Sequence, residues 1–144
     1  MGQIVYTGGT FDLIHSGHIN FLRACKKIAG ADGEVVVSLN TDAFIEAYKG
    51  KPPVMSFSER KAMLLGCKYV DQVVANIGGA DSKPAIELIH PDFIVVGSDW
   101  AVKDYYAQMQ FTQKWLDDLE IQLCYVPYTE GISTTDLKKR ILGK

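Results

Sequence analysis

The chain has 144 residues, a formal net charge of −2, 47% hydrophobic and 22% charged residues. That is enough for one cored domain over residues 1–144 and too little for a second. The composition is that of a globular protein, and the near-neutral charge excludes general nucleic-acid affinity. Cys25, Cys67 and Cys124 are far apart and odd in number, so they read as reduced core residues and not as a disulfide or zinc set. The N-terminus enters strand pattern at once and no apolar run approaches a membrane span, so a cytoplasmic protein without a membrane partner is expected.

In chain order, the first strand is expected over Ile4–Thr7, ending at the pair Gly8-Gly9, where a backbone without side chains can approach a ligand closely. His15 and His18 follow at the mouth of a helix over His18–Ala29, whose Ile19, Leu22, Cys25 and Ala29 form one apolar stripe. Then come a strand at Glu34–Leu39, a helix at Thr41–Ala47 and a rigid basic connector from Tyr48 to Val54. A helix at Ser58–Cys67, a strand at Val70–Ala75, a helix at Lys83–Ile89 and a strand at Phe93–Val96 continue the alternation. One long helix over Tyr105–Leu119, a strand at Ile121–Val126 and a helix at Thr135–Ile141 complete it. Alternation of this kind, with strands nearly continuous in apolar residues, predicts an α/β fold: a Rossmann-like, doubly wound parallel five-stranded sheet with helices on both faces. Ligands of such sheets bind beyond the strand C-termini, where Gly8, Gly9, His15 and His18 fall.

A helix N-terminus offers unpaired N–H groups and partial positive charge, so it favours phosphate, and two imidazoles there can donate to phosphate oxygens. The same two histidines read alone are a helix-capping pair or half a metal site. Gly131-Ile132-Ser133-Thr134-Thr135-Asp136 precedes a second helix, and Ser133 with Asp136 has capping-box spacing: a plain N-cap or a phosphate cradle. Lys49 and Lys51 read as flexible point charges on a solvated basic loop.

The stretch from Gly9 to His18, Gly-Thr-Phe-Asp-Leu-Ile-His-Ser-Gly-His, resembles the signature of the cytidylyltransferase family of nucleotidyltransferases. Ser58-Glu59-Arg60 resembles the family's mid-chain arginine motif, Gly97-Ser98-Asp99-Trp100 its glycine–acid–aromatic turn, and Thr129 to Thr135 its C-terminal nucleotide loop. The motifs keep the family's order over almost the whole chain. The resemblance implies transfer of a nucleotidyl group from CTP to a phosphorylated alcohol such as glycerol 3-phosphate, with release of pyrophosphate. It implies that His15 and His18 are catalytic, with Lys49 and Arg60 beside them. Nucleotide would be bound by Thr7, Gly8, Gly9, Thr10 and Phe11, by Asp99 and Trp100 at the base, and by Gly131, Ile132, Ser133 and Thr134. The acceptor would meet Lys49, Lys51, Arg60 and Lys68. Mg²⁺ would arrive with the triphosphate, held by phosphates and water and by no protein ligand. The family's habit implies a homodimer.

Against glycerol-3-phosphate cytidylyltransferases the chain departs at Tyr128 and Lys68, where arginine is usual, and at Ser98, where an acid is usual. Lys49 to Val54 and Pro91 to Asp99 are instead similar to the adenylyltransferase of ADP-heptose synthesis, although that branch usually has cysteine where Thr10 and Ile132 stand. An adenylyltransferase using ATP with a sugar phosphate or FMN is therefore the alternative, and a non-catalytic nucleotide-binding module a third reading.

Overall fold

The computed structural model describes residues 2–97, 105–127, 129 and 131–143. Five strands, β1 (Ile4–Gly9), β2 (Glu34–Leu39), β3 (Gln72–Ala75), β4 (Phe93–Gly97) and β5 (Gln122–Val126), pair all-parallel in the order β3-β2-β1-β4-β5. The expected doubly wound sheet is therefore present. The chain winds outward from β1 to β3, returns to β4 beside β1 and winds outward again, which puts the switch point between β1 and β4.

Strand side chains alternate between faces, and both faces are covered. On one face Tyr6, Ile94 and Val96 pack with Ile86 of α4 (Lys83–Ile89) and Leu116 of α6 (Gln113–Asp118). On the other, Val5, Val35 and Val95 meet Cys25 and Ala29 of α1 (Ser16–Ala29). Val37 and Leu39 extend that second face to Leu22 of α1 and Leu64 of α3 (Phe57–Leu65). A helix α2 (Asp42–Lys49) follows β2, and α7 (Thr134–Gly143) follows β5.

Two expectations change. β1 runs through Gly8 and Gly9, which pair with Ser38 and Leu39, so the glycine pair belongs to the strand and the turn begins at Thr10. The long helix at 105–119 is two: α5 (Tyr105–Met109) and α6. Gln110 adopts a left-handed φ of 60°, and the Thr112 side chain caps α6 by accepting from the Trp115 N–H. The break lets Phe111 turn inward to 4% exposure and stack on Trp115. Leu116 of α6 is buried, whereas Leu119, just past its end, is 42% exposed.

Arg60 is a fully buried side chain at the C-terminal edge of the sheet. Its Nε donates to Met55 O (3.0 Å), its Nη1 to Thr10 O (2.8 Å) and Asn40 O (2.9 Å), and its Nη2 to the Asp42 carboxylate (2.6 Å). Four of the five N–H donors of the fork are thereby used on the residues just past β1 and β2, the start of α2 and the entry to α3. Asp42 also accepts the Phe57 N–H, so one carboxylate joins α2 to α3. The expected phosphate-binding role of Arg60 does not fit this position: the guanidinium is spent on backbone carbonyls and has no exposed surface. Losing it strands those carbonyls and leaves Asp42 without its cation. Arg60→Met should therefore lower unfolding free energy by about 3–5 kcal/mol, read from chemical denaturation, and a change below about 1 kcal/mol would contradict the cross-brace.

Candidate active site

The β1–α1 turn is built around a reciprocal cap. His15 is the N-cap of α1, with extended backbone, and its Nδ1 accepts the Gly17 N–H at 3.0 Å, while His18 Nδ1 accepts the His15 N–H at 3.1 Å. The capping reading of the two histidines is thus correct as geometry, and it sets their chemistry as well. A ring whose Nδ1 accepts a hydrogen bond carries its proton, when neutral, on Nε2, so both imidazoles are Nε2–H donors. Their ring centroids lie 3.9 Å apart, and Phe11 packs on His18 at 5.3 Å. A Cβ at Gly17 would come within 2.8 Å of His15 Cε1, which is why a glycine separates Ser16 from His18. Phe11 and Leu13 hold left-handed φ values of 50° and 52°, a strained pair at the same turn.

Burial holds the His15 imidazole below its usual 6.5. It lowers His18 to about 4, helped by His15 and opposed by Asp12. Asp12 is buried and accepts from the Val54 and Met55 N–H groups at 2.7 and 2.9 Å, so it ties the turn to the end of the basic connector. Its carbonyl accepts from Thr134 Oγ1 at 2.8 Å, which ties the same turn to the start of α7. There Ser133 Oγ accepts the Asp136 N–H at 3.0 Å, the N-cap that the spacing predicted.

These ties bring the N-termini of α1 and α7 to one cavity of about 360 Å³. Gly9, Thr10, Phe11, His15 and His18 line one side, and Ile132, Ser133 and Thr134 the other. Gly131, at φ 82°, is exposed and makes the turn without lining the cavity. Gly9, Thr10, Phe21 and Gly97 are shared with a second cavity of about 240 Å³, whose wall includes Thr7 and Gly8. Beyond them it is lined by Asn40, Phe44, Tyr48 and Asn76, none of which the sequence marks as a site residue. A signal was available for two of these, since Asn40 and Asn76 each stand one residue past the end of a parallel strand.

Lys49, Lys51, Lys68 and Arg60 line neither cavity. Lys49 is exposed over the Tyr48 ring and Lys68 over the Tyr69 ring, at 5.7 and 5.3 Å. Lys51 is exposed on the connector. Asp99 and Trp100, with Ser98 and Tyr128, lie outside the described residues. Among the described residues no three His, Cys, Asp or Glu side chains group as metal ligands, and no helix is long and apolar enough to cross a membrane.

The profile of the cytidylyltransferase-like family matches residues 6–140, nearly the whole chain. The chain belongs to the cytidylyltransferase-like family of nucleotidyltransferases. It is 35% identical over 139 residues to a glycerol-3-phosphate cytidylyltransferase of Bacillus subtilis, covering 96% of this chain and 97% of that one. It is 32% identical over 143 residues to an FAD synthase of Korarchaeum cryptofilum, covering 99% and 93%. The crystal structure of a lipopolysaccharide core biosynthesis protein from Thermoplasma volcanium superposes with a TM-score of 0.70 at 26% identity, covering 92% of this chain and all of that one.

Because folding lowers the His18 pKa from 6.5 to about 4, the unfolded chain binds the proton first. The stability tied to a neutral His18 is full above about pH 6.5 and is lost as pH falls toward 4. His18→Asn keeps a cap acceptor and cannot titrate in that window. Its melting temperature should fall less than that of the unaltered chain between about pH 7 and pH 4.5, and equal falls would refute the neutral imidazole.

Proposed function

We propose that this nucleotidyltransferase moves a cytidylyl group from CTP to a phosphorylated alcohol resembling glycerol 3-phosphate. An acceptor phosphate oxygen forms a bond to the α-phosphorus, the bond from that phosphorus to the bridging oxygen breaks, and pyrophosphate leaves. A phosphate monoester is already ionised near neutral pH, so no strong general base is needed. The reaction calls for positioning and for neutralisation of crowded negative charge.

The observation that carries the reading is the convergence of two helix N-termini and two neutral Nε2–H imidazoles on one cavity. In this reading His15 and His18 donate to the phosphate oxygens around the reacting phosphorus. Thr10, with the backbone at Gly8 and Gly9, borders the α-phosphate, and Ser133 and Thr134 at the start of α7 border the β- and γ-phosphates. Phe11 lines the same cavity and Thr7 the adjoining one, and Asp99 with Trp100 borders the base. Mg²⁺ comes with the triphosphate, coordinated by its oxygens and water. Lys49 and Lys51 serve as mobile countercharges from the connector, which Asp12 anchors at its far end. Arg60 acts at one remove, holding the carbonyls of Thr10 and Asn40 and hence the floor of the site.

A second reading, adenylyl transfer from ATP to FMN or a sugar phosphate, is favoured by the similarity to the FAD synthase over nearly the whole chain. Melting temperatures with CTP, ATP, GTP and UTP, each with Mg²⁺, separate the two. Ligand at a hundredfold excess over its dissociation constant stabilises the native state by about 2.7 kcal/mol. A shift with CTP alone is expected; a shift with ATP alone would replace the first reading by the second, and none at all would leave a non-catalytic module. With the nucleotide that binds, His18→Asn should lose roughly two to three orders of magnitude in pyrophosphate release while α1 stays capped. Unchanged turnover would remove the histidine from the chemistry.

A further inference from the structure

Thr10 stands half-buried in the wall that the two cavities share. Its Oγ1 accepts from Asn40 Nδ2 at 3.1 Å and, among the described residues, donates to no protein oxygen. A hydroxyl has one hydrogen, so the incoming bond leaves that hydrogen for a ligand. The direction of this bond is set further back. Asn76 Nδ2 donates to Gly79 O at 2.8 Å, and a backbone carbonyl only accepts, so the amide nitrogen of Asn76 must face it. The same nitrogen donates to Asn40 Oδ1 at 3.0 Å, which turns the Asn40 nitrogen toward Thr10. One carbonyl thereby fixes the sense of a series that runs Asn76, Asn40, Thr10.

The path of the chain here is secured by backbone bonds. The Asn40 N–H donates to Gly9 O and the Asn76 N–H to Leu39 O, each at 2.9 Å, and Asn40 O accepts from the Arg60 guanidinium. The side-chain series has its distinct effect at its open end. An unconstrained threonine hydroxyl rotates and offers either its hydrogen or a lone pair, whereas a phosphate oxygen only accepts. Turning the hydrogen outward in advance removes that reorganisation from the reaction. Thr10 also lines the same side of the first cavity as His15 and His18, the Nε2–H donors, so its hydrogen joins theirs around one phosphate position.

We propose that Asn40, held in orientation by Asn76, is a positioning residue that fixes the Thr10 hydroxyl as a hydrogen-bond donor to the α-phosphate in the transition state. This rests on the nucleotidyl-transfer reading above and adds two side chains that the reading does not use. Neither asparagine touches the reacting atoms; both act through Thr10.

The test is pyrophosphate release by the full chain, with whichever of CTP and ATP raises its melting temperature and with glycerol 3-phosphate, glucose 1-phosphate or FMN as acceptor. Thr10→Val should lower kcat by about tenfold or more, and Thr10→Ser, which keeps the hydroxyl, by less than about threefold. Asn40→Asp keeps an oxygen for Asn76 Nδ2 and puts another where the amide N–H stood, so the Thr10 hydrogen turns toward it and away from phosphate. In that background Thr10→Val should cost less than about twofold in kcat. The added carboxylate charge is present with and without Thr10→Val and cancels from the comparison, and a merely structural role for Asn40 predicts the same cost in both backgrounds. Equal costs overturn the proposal, as does an unchanged kcat in Thr10→Val or a Thr10→Ser as slow as Thr10→Val. Should Asn40→Asp fail to fold or to turn over, Asn40→Leu takes its place: it orients nothing, so the cost of Thr10→Val should shrink there by about threefold or more, and an undiminished cost overturns the proposal. If the unaltered chain releases no pyrophosphate with any of these pairs, the transfer reading fails and this inference with it. If it does and the two costs are equal, only this inference falls.

Discussion

One buried guanidinium holds the C-terminal edge of the sheet in shape. Arg60 sits where the chain leaves β1 and β2, two strands whose following segments would otherwise end in unpaired carbonyls at Thr10 and Asn40. Burying a cation is expensive, and here the expense is offset by three hydrogen bonds to carbonyls, the Asp42 carboxylate and the Phe57 ring at 5.8 Å. A lysine could not replace it, because only a planar fork reaches three carbonyls and a carboxylate at once. The consequence for the site is geometric. Thr10 and Asn40, whose carbonyls the fork grips, are also joined through their side chains, with Thr10 in the wall between the two cavities and Asn40 lining the second.

The β1–α1 turn is drawn tight by a second set of ties that converge on Asp12. Its carboxylate takes two N–H groups from the end of the connector, and its carbonyl takes the hydroxyl of Thr134. Segments far apart in sequence are thereby registered against the histidines. Within that turn the histidines perform two tasks with different atoms. Nδ1 of each ring completes the cap of α1, and Nε2–H is left for a ligand. Using one nitrogen for the fold selects the tautomer of the other, and burial keeps the imidazole neutral. In the proposed reaction such a neutral donor suits a site where charge shifts between phosphate oxygens, because it follows the change without trapping the ground state.

The reach of sequence reasoning differs by element. Strands and most helices were legible because a side chain's burial follows its position in a short period, and Leu22, Cys25 and Ala29 are buried as the stripe of α1 requires. The Ser133 cap was legible because capping is decided within four residues. The expected long helix at 105–119 failed because its apolar spacing continues through Gln110, whereas the burial of Phe111 against Tyr106 and Trp115 breaks it. No periodicity in the sequence registers a ring drawn inward by partners on other elements.

The amino-acid sequence by itself determined the parallel sheet, the glycine–histidine turn after its first strand and membership of the family, since each rests on local spacing and on residue types in a set order. Only the tertiary structure decided what Arg60 does and where Asn40 and Asn76 meet. Arginine in a motif reads as a phosphate ligand until the carbonyls of Met55, Thr10 and Asn40 are seen around it. The two asparagines, 36 positions apart, acquire a shared role because parallel pairing of β2 and β3 places the ends of those strands side by side. Hydrogen-bond partners that distant are chosen by the fold of the chain and not by its local order.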